Sequence, residues 1–286
     1  MISIIIPTYN RAHSIFNSIE SVLNQTDPNW QLLIIDDGSK DNTHEIVDKY
    51  LKDERIQYHY DVNKGVSAAR NRGARLSKGT YLIFLDSDDM LETELIENLN
   101  KSNFSKYDLI CWELKCIIDG EVKIIKPKIQ GILYNNYKVG FLAESICYNK
   151  QFFLKVGGYD EKMTFGENYE LGIRLCQEKK LKILILNEIL ARYYIESTLR
   201  TSNSMNNRFY SGVHQYKKHR DLFKSSRHEN SKMLYFLGYL LENLKRKSFA
   251  FKFYSQSWFS APWKIKPLFK MIIIGFSLSN KSKMIN

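Results

Sequence analysis

No stretch of this 286-residue chain approaches the ~20 consecutive apolar residues that a helix needs to cross a bilayer, and no basic leader precedes the strand-like run at Ile2. The expectation is a protein neither secreted by a signal peptide nor held by a transmembrane helix. The four cysteines, Cys111, Cys116, Cys147 and Cys176, lack metal-ligand spacing and the pattern of a small disulfide scaffold. They read as reduced thiols of a cytoplasmic protein. No internal repeat and no Gly/Ser-rich linker interrupts the sequence. No Gly-rich basic loop follows the first strand, where Pro7 to His13 stands, which argues against a nucleotidyltransferase. Acids are scarce in one region: residues 206–286 hold 16 Lys and Arg against 3 Asp and Glu, a net 16 − 3 = +13. The whole chain carries +11, so residues 1–205 carry 11 − 13 = −2. Basicity is a property of the tail.

What is present argues for a packed protein, since 44% of residues are hydrophobic and Tyr and Phe abound, whereas disordered chains are poor in both. Residues 2–6 form a β-branched run, and Ile15, Ile19, Val22 and Leu23 then recur at helical spacing. Leu32 to Ile35 predicts a second strand ending at Asp36-Asp37-Gly38-Ser39, and Ile46, Val47, Tyr50 and Leu51 a second amphipathic helix. Ile56 to Tyr60 predicts a third strand, Val66 to Leu76 a helix, and Tyr81 to Leu85 a fourth strand. This alternation predicts a mostly parallel sheet flanked by helices, an α/β fold whose strand ends line one ligand-binding edge. Beyond Asp89 the pattern loosens. It predicts a helix over Glu92 to Leu99, a strand over Leu109 to Leu114, a hairpin turning at Asp119-Gly120, a turn at Gly157-Gly158 and a helix from Glu167. The shift in charge and periodicity divides the chain into residues 1–205 and a helical, basic, aromatic-rich region, 206–286.

Three strand ends deliver polar groups to one edge. The fourth strand runs into Phe84-Leu85-Asp86-Ser87-Asp88-Asp89, whose carboxylates would repel one another without a hard divalent cation such as Mg²⁺ or Mn²⁺. The same acids could instead cap the next helix. The first two strands end in Pro7-Thr8-Tyr9-Asn10 and Asp36-Asp37-Gly38-Ser39. Tyr9 can stack on a base, and Asp37 can accept the N–H of a uracil-type ring. Gly65-Val66-Ser67-Ala68-Ala69-Arg70-Asn71 can present Arg70 to a base or a diphosphate.

Ser3 to Arg11, Leu33 to Asp41, Gly65 to Asp89 and Gly157 to Arg174 together resemble the family-two inverting glycosyltransferases of the GT-A fold. The resemblance covers about two thirds of the chain. It implies a nucleotide-diphospho-sugar donor, usually a UDP-sugar, held by Tyr9, Asp37, Arg70 and Asp86, with Pro7 and Ser87 beside them. Asp86 would meet the ribose or the metal shell, and Asp88 the Mn²⁺ or Mg²⁺ that bridges the two phosphates. It further implies single displacement at the anomeric carbon with inversion, a carboxylate base for the acceptor hydroxyl, and a glycan or lipid-linked acceptor.

The sequence departs from that family twice. Many relatives carry Glu-Asp before the helix with the Asp as base, whereas here Gly166-Glu167-Asn168-Tyr169-Glu170 puts Asn168 in the Asp position. Either Glu167 or Glu170 takes the proton, or Asn168 only orients the acceptor, or the protein binds sugar nucleotides with weak or no turnover. The usual late histidine ligand is also missing after Tyr193-Tyr194-Ile195, where Glu196 is the oxygen substitute and His214 a more distant candidate. In the tail, bases interleave with aromatics from Lys245 to Lys270, which suits an anionic membrane surface and a peripheral place on the inner face of the cell membrane. An ordinary helical subdomain is the other reading. No nucleic acid is expected, because no recognised module accompanies the charge.

Overall fold

A computed structural model describes residues 1–195 and 204–283, with side chains as far as Ser277 in the second span. Met1–Glu161 with Glu167–Arg200 form one compact unit, and Lys162–Gly166 with Thr201–Asn286 the other.

The first unit opens with β1 (Ile2–Thr8), α1 (Ile15–Leu23), β2 (Trp30–Asp36), α2 (Thr43–Asp48), β3 (Ile56–Tyr60), α3 (Val66–Leu76) and β4 (Tyr81–Phe84). These four strands lie in the order β3-β2-β1-β4, and every neighbouring pair is parallel. The sequences of β1, β2 and β4 are mostly apolar because both sheet faces are covered there, whereas the edge strand β3 is only partly buried. Ile2, Ile4, Ile6, Leu32, Ile34 and Ile83 enter one core, whereas Ile5, Leu33, Ile35, Leu82 and Phe84 enter the other. Gly73 lets α3 lie close on the sheet, since a Cβ there would stand 2.4 Å from the Ile5 side chain.

The rest of the unit is mixed. It contains β5 (Met90–Leu91), α4 (Leu95–Lys101), β6 (Leu109–Ile118), β7 (Glu121–Ile125), β8 (Lys128–Ile129), β9 (Lys138–Val139), β10 (Ile146–Asn149), α5 (Lys150–Lys155), α6 (Glu167–Gln177) and β11 (Ile183–Ile195). The sheet continues from β4 as β10-β6-β11-β5, with β7 paired to β6, while β8 and β9 form a separate ribbon. Strand β10 runs antiparallel to both neighbours, and β11 runs parallel to β6. Two elements differ from their expected bounds. The helix expected from Glu92 starts at Leu95, because Met90 and Leu91 pair with β11 and the Glu92 N–H donates to the Leu190 carbonyl. The strand expected to stop at Leu114 runs on to Ile118, because β11 on one side and β7 on the other both pair with that extension. The hairpin turn holds Asp119 at φ +48° and Gly120 at φ +89°, the left-handed pair that a two-residue loop requires.

The second unit is helical: α7 (Met205–Lys218), α8 (Arg220–Ser225), α9 (Arg227–Asn243), α10 (Lys247–Ser260) and α11 (Ile265–Lys283). Leu241, Ala250, Tyr254 and Ile274 form its buried centre. Glu242 ties its helices together, accepting from Tyr254 Oη at 2.6 Å and from Lys270 Nζ at 2.9 Å.

Candidate functional site

Strand register brings the polar strand ends level. Thr8 is the partner of Asp36 across β1 and β2, and Ile5 is the partner of Phe84 across β1 and β4, so the chain leaves all three strands at one edge. Hydrogen bonds lace the loops there. The Asn10 N–H donates to Ser39 Oγ at 2.9 Å, the Lys40 N–H to Asn10 Oδ1 at 2.7 Å and the Arg11 N–H to Thr43 Oγ1 at 3.0 Å. Pro7 is buried at the end of β1, and Tyr9 beside it is exposed, leaving an aromatic face at the edge.

Asp37 holds a neighbouring loop. Its carboxylate accepts from the Lys64 N–H at 2.7 Å and the Gly65 N–H at 2.8 Å, which fixes the entry to α3. Gly38 makes that approach possible, because at φ +85° a Cβ would stand 3.0 Å from the Asn63 backbone nitrogen. Replacing Asp37 by alanine removes the acceptor of two backbone amides. The expected result is a loss of roughly 1.5–3 kcal/mol in urea unfolding. An unchanged urea midpoint would mean that the loop holds without Asp37.

Arg70 is the centre of the site. Only 2% of its surface is exposed, yet its guanidinium reaches two carboxylates, donating from Nη2 to Asp86 Oδ1 at 2.6 Å and from Nη1 to Glu167 Oε1 at 3.0 Å. Its plane lies near the Tyr159 ring, at 5.1 Å from the centroid. The two carboxylates hold its proton more firmly than in water, outweighing the burial that works against the charge. Asn71, next along α3, accepts from the Tyr159 N–H at 2.8 Å and donates to the Tyr159 carbonyl and to Glu161 Oε1, each at 2.9 Å. One helix thus anchors the strand edge and the loop before α6.

The acidic residues divide into two groups. Asp86, Asp89 and Glu144 bring one carboxylate oxygen each within 4.8 Å of one another. Asp88 is paired instead with Arg11 at 3.5 Å, and its side chain is 45% exposed. Asp89 is buried, accepting from the Tyr194 N–H at 2.8 Å through Oδ1, while Asp89 Oδ2 and Glu144 Oε1 have no hydrogen-bond partner. Burial, and then the charge of the neighbouring acids, push both carboxyls well above their ordinary range, so they favour the neutral form. Two orphaned, buried carboxyl oxygens beside Asp86 suit a hard divalent cation. Ser87, between the two aspartates, is buried.

Glu144 was not among the expected site residues. It arrives from the short turn before β10, where it is a lone acid in the apolar run Phe141-Leu142-Ala143-Glu144-Ser145-Ile146-Cys147. That isolation is the signal that could have marked it.

At the head of α6 the three expected residues separate. Glu167 meets Arg70, as described, and Asn168 Oδ1 accepts from Tyr159 Oη at 3.0 Å. Glu170, one of the expected proton acceptors, is fully buried and faces inward. Arg174 grips it with contacts of 2.7–3.1 Å and also donates to the Gly158 carbonyl at 2.6 Å, so Glu170 holds the turn before α6. This corrects the expectation that it reaches an acceptor. Glu196 lies outside the described residues, and His214 sits on α7 in the second unit.

The glycosyl transferase family 2 model matches residues 3–157. An uncharacterized glycosyltransferase of Rickettsia bellii is 48% identical over 89 residues, 31% of this chain but only 13% of the relative, so this chain spans a small part of that protein. WfgD of Escherichia coli, a UDP-Glc:alpha-D-GlcNAc-diphosphoundecaprenol beta-1,3-glucosyltransferase, is 27% identical over 270 residues, covering 88% of this chain and 97% of the relative. Among solved structures, S. aureus TarS 1-349 in complex with UDP-GlcNAc shares the fold at a TM-score of 0.63 and 15% identity, covering 98% of this chain and 92% of that one.

Proposed function

Because this chain belongs to glycosyl transferase family 2, we propose that it transfers a sugar from a UDP-sugar to a hydroxyl of a glycan or lipid-linked acceptor, with inversion and with the help of a divalent cation. The observation that carries the reading is Arg70 seated between Asp86 and Glu167, which couples the acidic strand end to the head of α6. Similarity to a UDP-glucose-dependent relative over nearly its whole length supports the choice of donor.

Tyr9 offers its exposed ring to the base, and Asp37 shapes the loop beside it. Asp86 and Asp88, with side chains 33% and 45% exposed, would hold Mn²⁺ or Mg²⁺, with the buried Asp89 and Glu144 beside Asp86. A bound cation offsets the charge that grows on the departing diphosphate. Arg70 keeps Asp86 in place from below. On the other side, Glu167 accepts the proton of the acceptor hydroxyl as its oxygen attacks the anomeric carbon and the bond to the diphosphate breaks. Asn168 orients that hydroxyl.

The cation and the donor are tested together. Calorimetric titration with UDP should give at least ~10-fold tighter binding when Mn²⁺ is present, and Asp88→Ala should abolish that gain. Equal affinity for both proteins with and without Mn²⁺ would remove the metal from the reading. A second reading, donor binding without turnover, is favoured by one observation, the amide at Asn168 where many relatives have a carboxylate. It predicts UDP binding with no sugar transferred from any donor in a panel of nucleotide sugars.

A further inference from the structure

Helix α11 is apolar on the side that packs and on the side that does not. Ile274 enters the core of the helical unit, with Met271 packed against it. On the opposite side, Ile265, Phe269, Ile272, Ile273 and Phe276 are all exposed, Phe276 at 70%. Their spacing of i, i+4, i+7, i+8 and i+11 puts them on one stripe of the helix. Trp263, just before the helix, is 60% exposed, and Lys266 borders the stripe in solvent. A contiguous apolar face of this kind on a folded unit marks a contact.

Charge decides with what. From Lys247 to Lys283 the chain holds 7 lysines and no Asp or Glu. A second copy would bring one lysine-rich stretch against another, which like charges oppose. Nucleic acid would satisfy the lysines and leave the Ile and Phe stripe in water. An anionic lipid surface satisfies both, because acyl chains take the stripe and headgroups take the lysines and Trp263. No helix among the described residues is long and apolar enough to cross a membrane, so the element suits lying in the interface.

We propose that α11 docks this protein on an anionic lipid surface, lying along it with Ile265, Phe269, Ile272, Ile273 and Phe276 among the acyl chains and the exposed Lys252 and Lys266 at the headgroups. The proposal is independent of the transferase reading, since it needs no donor and no turnover.

Cosedimentation of the full chain with vesicles tests it. Vesicles of equimolar phosphatidylcholine and phosphatidylglycerol should bind the protein at least ~10-fold better than phosphatidylcholine alone, each lysine that reaches the surface contributing about fivefold. Raising salt from ~0.15 M to ~1 M shortens the reach of charge from about 8 Å to about 3 Å and should release most of it. The triple variant Phe269→Ser, Ile273→Ser, Phe276→Ser changes only exposed positions, so it should fold, melt near the wild type and lose binding to both vesicles. Lys252→Glu with Lys266→Glu should lose the preference for the anionic vesicle alone. Equal binding to both vesicles, no binding to either, or a triple variant that binds like the wild type would overturn the proposal. So would a wild-type dimer that the triple variant converts to monomer, because the stripe would then belong to a second copy.

Discussion

Glu167→Gln should lower the turnover of sugar transfer by about 10²–10⁴-fold while UDP affinity stays within a few-fold, the pattern expected when a proton acceptor is lost and donor binding is kept. The variant keeps the size of the side chain and its place at the head of α6. It also removes one charge from the pair with Arg70, where Glu167 Oε1 accepts at 3.0 Å. A urea unfolding curve measured alongside separates the two effects, since a purely structural role would move the midpoint and leave turnover per folded molecule unchanged. Asn168 supplies the companion test. Its Oδ1 already accepts from Tyr159 Oη at 3.0 Å, so Asn168→Asp can keep that contact and add a carboxylate. Activity should then hold or rise if the site is built for a carboxylate there, and fall if the amide N–H groups of Asn168 hold the acceptor. Wild-type turnover in Glu167→Gln would take the proton-accepting role away from Glu167, and a chain that turns over no donor would favour the binding-only reading.

Arg70→Met should cost roughly 3–5 kcal/mol of stability, the range seen when one partner of a buried ion pair is removed and the other charges stay. Methionine fills much of the same space, so the loss reports charge more than volume. Glu167 is mostly shielded and Asp86 is about a third exposed, at 14% and 33% of their side chains, so Asp86 can recover part of its hydration. The result should therefore fall toward the lower end. Arg70→Lys should lose less, because an ammonium restores the charge but cannot reach two carboxylates as a planar fork does. In the double variant Arg70→Met with Glu167→Gln, part of the lost stability should return, a coupling that independent sites would not show. A urea midpoint for Arg70→Met equal to that of the wild type would mean that Asp86 and Glu167 are solvated well enough without it.

The first half of the chain was almost fully legible. Strands β1, β2 and β4, buried on both faces, read as mostly apolar runs, and with β3 and the helix Val66–Leu76 they were visible from periodicity and turn residues alone. Asp86 and Asp88 stood out because acids crowded at a strand end are costly without a counter-charge. Beyond Asp89 legibility fell. Strand β10 runs against its neighbours and β6 is paired on both sides, and neither fact leaves a periodic trace. The start of α4 was missed because pairing with β11, distant in sequence, claims Met90 and Leu91.

By itself the sequence determined the layered α/β unit, the basic helical region and the carboxylates at one strand edge, because these follow from local periodicity, turn chemistry and charge. Only the tertiary structure decided which of those groups meet. Arg70 and Glu167 lie 97 positions apart, and their pairing depends on how α3 settles over Gly73 and where α6 begins. Glu144 joins Asp86 and Asp89 only because β10 inserts beside β4. Glu167 and Glu170 are chemically alike and one helical turn apart. Their separation into a residue at the strand edge and a buried partner of Arg174 comes from the rotation of α6 against the core, which no local pattern of acids encodes.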